Sequence, residues 1–279
     1  MNWKDKGIIN PWANVCSQNV FAADDYEHLV YVDKKSNLKF QFGSPSYVEA
    51  IKKQYPKSKL RLKCLPSPYS GSPDANVYCL NMNPGEPDSH FDKWPLTANV
   101  YTSQSLENLK HNVQDAFWTD DMVADQQGNV SLDNDVFNSL LGDKNTVPGF
   151  YIHGGARWQR LKTKELWQSR GGQKPNIFFL EYFPYHSKHG FDFPDYLPSY
   201  DYRNALLEFA MDEDKLIIIM RSENKWYDIN GVGKRLKDYK KKILLRNCQG
   251  GWLSRGNMIQ FVPDNKNDIL TWKDIINLL

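Results

Sequence analysis

The sequence lacks several features that would assign it to a specialised class of protein. Its four cysteines, Cys16, Cys64, Cys79 and Cys248, lie far apart and form no CxxC pair. This spacing argues against zinc and iron–sulfur sites and against a disulfide scaffold. The formal net charge is only +2, so a nucleic-acid-binding role would have to depend on a local basic patch.

Long apolar runs are also missing. No stretch of the chain reaches the roughly 18 apolar residues of a membrane span. The N-terminal sequence MNWKDKGIINPWANV has no apolar centre flanked by charge, so it does not have the pattern of a signal peptide. We therefore expect a cytoplasmic protein without membrane contact. We also expect a monomer that needs no metal ion and no cofactor.

What the sequence does contain is typical of a globular protein. Of its 279 residues, 41% are hydrophobic and 24% are charged. Aromatic residues make up 14%, with 9 Trp and 15 Tyr, and they suit both deep cores and stacking surfaces. The length is sufficient for one large α/β domain or two small ones.

The first 70 residues differ from the rest and predict a flank packed on the main domain. The sequence HLVYVDKKSNLKFQFG alternates apolar and polar residues on both sides of Lys-Ser-Asn, which predicts a β-hairpin. SPSYVEAIKKQYP predicts a short helix with a Ser cap and a Pro stop, and LPSPYSGSPDA predicts a turn-rich connector. We therefore divide the chain into a flank at 1–70 and a main domain at 71–279.

The main domain is predicted to alternate short apolar strands with helices. The four strands are NVYCLN, NIFFLEY, KLIIIMR and KILLRN. Each strand is apolar on both faces, which is typical of a mainly parallel sheet inside a three-layer α/β/α sandwich. The predicted helices are SLENLKHNVQDAF, SLDNDVFNSLLG, GARWQRLKTKELWQSR, PSYDYRNALLEFAMDED, GVGKRLKDYKKK and TWKDIINLL, the last capped by Thr271.

Polar side chains follow each of the four strands. The first strand is followed by Asn81, Asn83, Pro84 and Gly85, and the second by Glu181, Pro184, Tyr185, His186 and Ser187. The third is followed by Arg221, Ser222 and Glu223, and the fourth by Arg246, Asn247, Gln249, Ser254, Arg255 and Asn257. In an open parallel sheet, ligands bind beyond the carboxyl ends of the strands. Amides and a Tyr-His pair are not the usual solvating residues, which favours a shared site over an ordinary polar surface.

The same topology assigns the basic residues to two places. The run Lys240–Lys242 precedes the fourth strand, so it is predicted at the amino end of that strand, away from the site, as a solvated helix end. Arg221, Arg246 and Arg255 follow strands, so they are the better candidates for contacts with phosphate.

The segment Met82-Asn83-Pro84-Gly85 after an apolar strand resembles the GMNPG or GINPG motif of the uracil-DNA glycosylase superfamily. FFLEYFPYHS is similar in position to the superfamily's second strand and base-recognition residues. LLRNCQGGWLSRGN is similar in position to the loop that enters the minor groove. The resemblance spans about residues 70–262 and implies an α/β/α sandwich around a four-stranded parallel sheet.

The sequence departs from the superfamily pattern at two places. Asn81 stands where the superfamily usually has Gly, which affects how closely the backbone can approach a ligand. The histidine of the catalytic loop is missing, because the fourth strand continues into Arg246 and Asn247. The resemblance therefore implies a hydrolase that cleaves a modified or damaged base, not specifically uracil, from DNA.

The resemblance also implies catalytic roles, each with a structural alternative. Asn83 would position the attacking water, or it would stabilise a turn before Pro-Gly. Asp88 would act as general base, or it would cap a helix. His186 would donate to the departing base, or it would hydrogen-bond to backbone.

Substrate-binding roles are expected for a larger set. Tyr185 or Phe91 would stack on the base, unless the ring packs in the core. Asn247 and Gln249 would read a base edge or contact backbone, and Trp252 would be a wedge in the duplex or a buried core residue. The other candidates are Asn81, Gly85, Ser187, Arg221, Arg246 and Arg255.

Three functions compete on this basis. The first is a DNA glycosylase-like hydrolase. The second is a non-catalytic protein of the same fold that binds nucleic acid or nucleotide, which the missing histidine favours. The third is an enzyme acting on a small nucleoside or phosphorylated substrate, because a fold does not determine a function.

Overall fold

The structure is a computed structural model. It describes residues 68–82, 154–173, 175–185, 195–258 and 271–279, together with 7, 9–12, 22, 25, 30–32 and 39–41. The helices predicted from SPSYVEAIKKQYP, SLENLKHNVQDAF and SLDNDVFNSLLG lie outside the described residues.

Two short strands precede the main sheet. Strand β1 (Val30–Val32) pairs antiparallel with β2 (Lys39–Gln41), and Val30 lies opposite Gln41. This antiparallel pairing agrees with the hairpin that the alternating sequence predicts.

The central sheet has five strands and is mostly parallel. The strands are β3 (Tyr69–Ser70), β4 (Val77–Asn81), β5 (Ile177–Glu181), β6 (Leu216–Ile219) and β7 (Lys242–Leu244), in the order β3-β5-β4-β6-β7. Strands β5, β4, β6 and β7 are parallel, while β3 runs antiparallel to β5. The prediction of four apolar strands in a mainly parallel sheet is therefore confirmed, and β3 was not predicted.

Five helices are described. They are α1 (Gly154–Ser169), α2 (Pro198–Asp212), α3 (Glu223–Tyr227), α4 (Val232–Asp238) and α5 (Trp272–Leu278). The predicted cap of α5 is present, because Thr271 Oγ1 accepts from the backbone N–H of Asp274. Helix α4 is shorter than predicted, and α3 was not predicted. Across the described ranges, every helix is too short or too polar to cross a membrane.

Side chains of the parallel strands enter two separate cores. Successive residues of a strand point to opposite faces, so Leu80 and Cys79 belong to different cores. The first core contains Leu80 together with Leu206 of α2 and Trp226 of α3. The second contains Cys79 together with Trp167 of α1 and residues of α5. Burial on both faces explains why the strands show no apolar–polar alternation.

The edge strand β3 lies in the segment predicted as a turn-rich connector. Tyr69 pairs with Leu180, and Ser70 pairs with Phe179. Gly71 ends the strand with a φ of +99°, and a Cβ at this position would collide with the carbonyl oxygen of Ile177. Glycine is therefore required here for both the backbone conformation and the close approach.

The buried residue Asp25 connects the first 70 residues to the main sheet. Its Oδ1 accepts from the backbone N–H of Ser199 at 2.9 Å. Its Oδ2 accepts from Ser199 Oγ and from the hydroxyl of Tyr185, both at 2.7 Å. Since Leu197 makes no side-chain cap, Asp25 supplies the carboxylate that the N-terminus of α2 favours.

Candidate functional site

The carboxyl edge of the parallel strands is the candidate functional site. Asn81 and Glu181 end β4 and β5 and are register partners. Arg221 and Arg246 follow β6 and β7, whose residues Ile219 and Leu244 are also partners. The structure therefore brings Asn81, Arg221 and Arg246 to one edge of the sheet, as the predicted parallel topology requires.

Asn81 and Glu181 form a hydrogen-bonded pair at this edge. Asn81 Nδ2 donates to Glu181 Oε1 at 3.2 Å, and Asn81 is only 3% exposed. Asn81 Oδ1 and Glu181 Oε2 are buried and make no hydrogen bond within the described part of the chain. Because buried polar atoms are normally paired, the two unused oxygens make this hydrogen-bonded pair a candidate for contact with a ligand.

The Glu181 carboxyl is perturbed by its surroundings. Burial raises the pKa of Glu181 to about 8, against the opposing effects of the Asn81 hydrogen bond and the positive charge of Arg221. At neutral pH the uncharged acid is therefore the major form. An acid with this pKa can donate a proton near physiological pH.

The loop after β7, residues 246–258, is held together by two asparagines. Asn257 Oδ1 accepts from the backbone N–H of Asn247 at 2.6 Å, and Asn257 Nδ2 donates to the carbonyl of Trp252 at 2.7 Å. Asn247 Oδ1 accepts from the backbone N–H of Gly250 at 3.0 Å. The Asn247 side chain thus uses its acceptor within the loop, on the backbone of the protein itself.

Three contacts attach this loop to the neighbouring elements. Arg221 Nη2 donates to the carbonyl of Gln249 at 3.1 Å, which joins the loop to the end of β6. The backbone N–H of Leu253 donates to the carbonyl of Lys162, and that of Arg255 donates to Glu165 Oε1, which joins the loop to α1. The loop is therefore positioned by the same sheet edge that carries Asn81.

A basic and aromatic surface lies at the same edge of the sheet as the Asn81–Glu181 pair. Lys162 Nζ lies 4.3 Å from the ring centroid of Trp252, a residue that is 39% exposed. Burial and the nearby charge of Arg221 lower the pKa of Lys162. Arg246 and Arg255 are exposed on the same loop. Trp252 is therefore available at the surface, as the wedge alternative requires.

The lysine run lies at the opposite end of β7. Lys242 Nζ donates to the carbonyls of Lys237 and Tyr239, at the end of α4, and Lys241 Nζ donates to Asp214. The run therefore lies at the amino end of β7, away from the site, as predicted, but it is not a helix end: α4 ends at Asp238 and Lys242 is the first residue of β7.

Tyr185 occupies the core. It is 1% exposed, its ring packs against Trp12 and Phe183, and its hydroxyl donates to Asp25. Burial and the charge of Asp25 raise the pKa of Tyr185 well above its ordinary value. This placement corresponds to the core-packing alternative and leaves little of the ring surface for stacking on a ligand.

Several predicted site residues lie outside the described residues. They are Asn83, Gly85, Asp88, Phe91, His186 and Ser187. Glu181 belongs to the polar cluster predicted after the second strand, but the sequence assigned it no catalytic or binding role. A glutamate that ends a strand usually contacts solvent, and the useful signal was its position after four apolar residues of a buried parallel strand.

Comparison with known protein families, curated proteins and solved structures finds no match. Among the described residues, no group of three or more His, Cys, Asp or Glu side chains is arranged to hold a metal ion. The fold and the residues at the edge of the sheet define the class of the protein. It is a mixed α/β protein whose mostly parallel sheet presents an acid–amide pair and basic residues at its carboxyl edge.

Proposed function

We propose that the protein is a DNA glycosylase-like hydrolase that cleaves the N-glycosidic bond of a modified or damaged base. The observation that supports this proposal is the parallel register that sets Asn81 beside Glu181, with Arg221 and the loop 246–258 at the same edge. Ligands of open parallel sheets bind beyond that edge. A three-layer α/β/α sandwich, a monomeric state, a cytoplasmic location and DNA as partner belong to the same proposal.

The chemistry of base removal requires several groups at one place. The enzyme must unstack and enclose the base, stabilise the departing base and place a water at the sugar. Arg221 and Lys162 supply positive charge, and the exposed ring of Trp252 offers an apolar surface for unstacking. The proposed water-positioning residue remains Asn83, with Asp88 as general base and His186 as a donor to the base.

Release of free base from DNA tests the hydrolase. Single-stranded and duplex oligonucleotides, each with one uracil, hypoxanthine or alkylated base, are incubated with the protein, and the released base is measured by mass spectrometry. We expect release from at least one substrate and a loss of roughly a hundredfold or more in Asn83→Ala, because this residue positions the attacking water. Asn224→Ala, an exposed control on α3, should retain full activity. No release from any oligonucleotide would contradict the hydrolase.

A non-catalytic DNA-binding protein is the second candidate. Two features favour it: Arg246 and Asn247 stand where the superfamily has its catalytic histidine, and Arg246 and Arg255 are exposed on the loop that carries Trp252. Such a protein would bind DNA without cleaving a base.

Salt-dependent binding measures the contribution of these arginines. We expect the double variant Arg246→Ala, Arg255→Ala to bind a 20-mer oligonucleotide more weakly and to reduce the slope of log K against log salt by about 2, since each phosphate contact contributes about 1. Lys240→Ala removes an exposed charge before β7 and should leave the slope unchanged. Equal slopes in all three proteins would contradict the assignment of the loop to phosphate contacts.

A further inference from the structure

The acid–amide pair offers a chemical capability that the assignments to Asn83, Asp88 and His186 leave unused. Glu181 Oε1 is occupied by Asn81 Nδ2, while Glu181 Oε2 is buried and makes no hydrogen bond to any described residue. The backbone on both sides is fixed, because the Glu181 N–H donates to the carbonyl of Pro68 and the Tyr182 N–H donates to the carbonyl of Asn81. The hydrogen bond from Asn81 thus orients the carboxyl group on a fixed backbone and leaves Oε2 unused.

The charged and polar groups around Glu181 come from each neighbouring element. Asn81 approaches from β4, and Arg221 approaches from the end of β6. Lys162 of α1 lies near Arg221, as the effect of Arg221 on its pKa shows. The positive charge of Arg221 therefore acts on the carboxyl group and would stabilise the carboxylate after it lost a proton.

We propose that Glu181, oriented by Asn81, is the proton donor of this site and protonates the departing base from Oε2. This inference rests on the proposed hydrolase function. It adds a transferable proton to the hydrogen bond that His186 is proposed to donate to the departing base, in a chain whose sequence offers no catalytic-loop histidine.

The step balances in atoms and charge. The N-glycosidic bond breaks, its electron pair moves to the base nitrogen or is delocalised over the ring, and the proton of Glu181 Oε2 neutralises the base. Water then adds to C1′ of the cation-like sugar and loses one proton to the proposed general base Asp88, which passes it to solvent. Solvent finally returns a proton to the Glu181 carboxylate, so the sum is hydrolysis of the glycosidic bond with no other reactant.

The pKa of about 8 supports this role, because a general acid works best when its pKa lies near the operating pH. The pKa also determines the direction in which the rate changes with pH. The donor is active while protonated, so the rate should be constant at neutral pH and should fall as pH rises through about 8. Removing the positive charge of Arg221 should move this fall to higher pH, because that charge lowers the pKa of Glu181.

Kinetics of the wild type and Glu181→Gln test the proposal on whichever oligonucleotide releases a base. Glutamine keeps the shape and a hydrogen-bond donor but has no transferable acid proton. We expect kcat to fall roughly a hundredfold at pH 7, with KM changed little, and the fall in rate above about pH 8 to disappear. Glu208→Gln, an exposed glutamate on α2, should match the wild type. In Arg221→Met, the pH at which the rate falls should increase.

Isotope-edited infrared spectroscopy provides a readout that does not require turnover. With carbon-13 in the glutamate carboxyl groups, the wild-type minus Glu181→Gln difference should retain a protonated-carboxyl band up to about pH 8. A band that disappears near pH 4.5, the ordinary value, would overturn the proposal. Base release that is unchanged in Glu181→Gln would also overturn it while leaving the hydrolase intact. A wild type that releases no base would refute the hydrolase and the proton donor together.

Discussion

Burial of Asn81 and of one carboxyl oxygen of Glu181 has an energetic cost. Each buried polar atom without a partner costs about 1–3 kcal/mol, and Asn81 Oδ1 and Glu181 Oε2 both make no hydrogen bond among the described residues. Hydrophobic side chains at these two strand ends would avoid this cost. A chain that keeps the pair therefore gives up stability at the edge where ligands of parallel sheets bind.

The stability of the protein should reflect the protonation of Glu181. The folded state keeps the proton up to about pH 8, whereas the unfolded chain releases it near pH 4.5. The folded state therefore binds more protons between these values, and the Glu181 contribution to the free energy of unfolding falls as pH rises through this window. Glu181→Gln cannot ionise, so its melting temperature relative to wild type should increase from pH 4.5 to pH 8. A constant difference across this range, measured by calorimetry, would contradict a raised pKa.

At the scale of elements, the edge strand β3 depends on a single glycine. Tyr69 and Ser70 can pair with β5 because Gly71 turns the chain away at a φ of +99° and passes close to the Ile177 carbonyl. A second close approach occurs at Gly233, where a Cβ would collide with the carbonyl of Tyr227 and so separate α3 from α4. Both glycines fix the packing of elements at the periphery of the sheet.

Gly71→Ala should weaken the edge of the sheet. The added methyl group meets the Ile177 carbonyl and the backbone must keep a positive φ, so we expect a loss of about 2–3 kcal/mol in the free energy of unfolding. Gly256→Ala is the matched control, since a Cβ there meets no atom within 4 Å, and it should change stability by less than about 0.5 kcal/mol. Urea denaturation of both variants measures the difference. Equal stabilities would show that β3 tolerates the methyl group.

The sequence predicts the long or strongly apolar elements and fails on the short ones. Strands β4 to β7 were predictable because each has three or more consecutive apolar residues between polar segments, and α5 because Thr271 and Asp274 form a capping box. Strand β3 has two residues among Pro and Gly, and its pairing with β5 depends on residues more than a hundred positions away. The predicted parallel topology places Asn81 and Arg221 at the correct edge of the sheet. The unused oxygens of the acid–amide pair could not be predicted, because they depend on how the folded chain buries these side chains.

At the scale of the whole molecule, Asp25 joins distant parts of the chain. It binds Tyr185 after β5 and Ser199 at the start of α2, and Trp12 packs against the same tyrosine ring. Tyr185 directly precedes His186, a predicted donor to the base. Asp25 and Trp12, both from the first 70 residues, therefore help to position Tyr185.

Asp25→Asn should loosen this connection. Asparagine keeps one oxygen acceptor but loses the second acceptor and the negative charge at the N-terminus of α2. The free energy of unfolding should therefore fall by about 1–3 kcal/mol. We expect lower stability in urea and faster proteolytic cleavage within residues 1–70. Asp238→Asn, at an exposed position in α4, should behave like the wild type. Unchanged proteolysis in Asp25→Asn would show that the first 70 residues are held by other contacts.

The lengths of the outermost strands have a further consequence. Among the residues that the structure describes, the outermost strands of the sheet are β3, with two residues, and β7, with three residues that begin with Lys242. A peptide or a second copy of the chain could pair with few backbone groups at these short strands. At β7 it would also meet the positive charge of Lys242. Fibrillar self-assembly through either border of the sheet is therefore disfavoured, even though the strands inside it are almost entirely apolar.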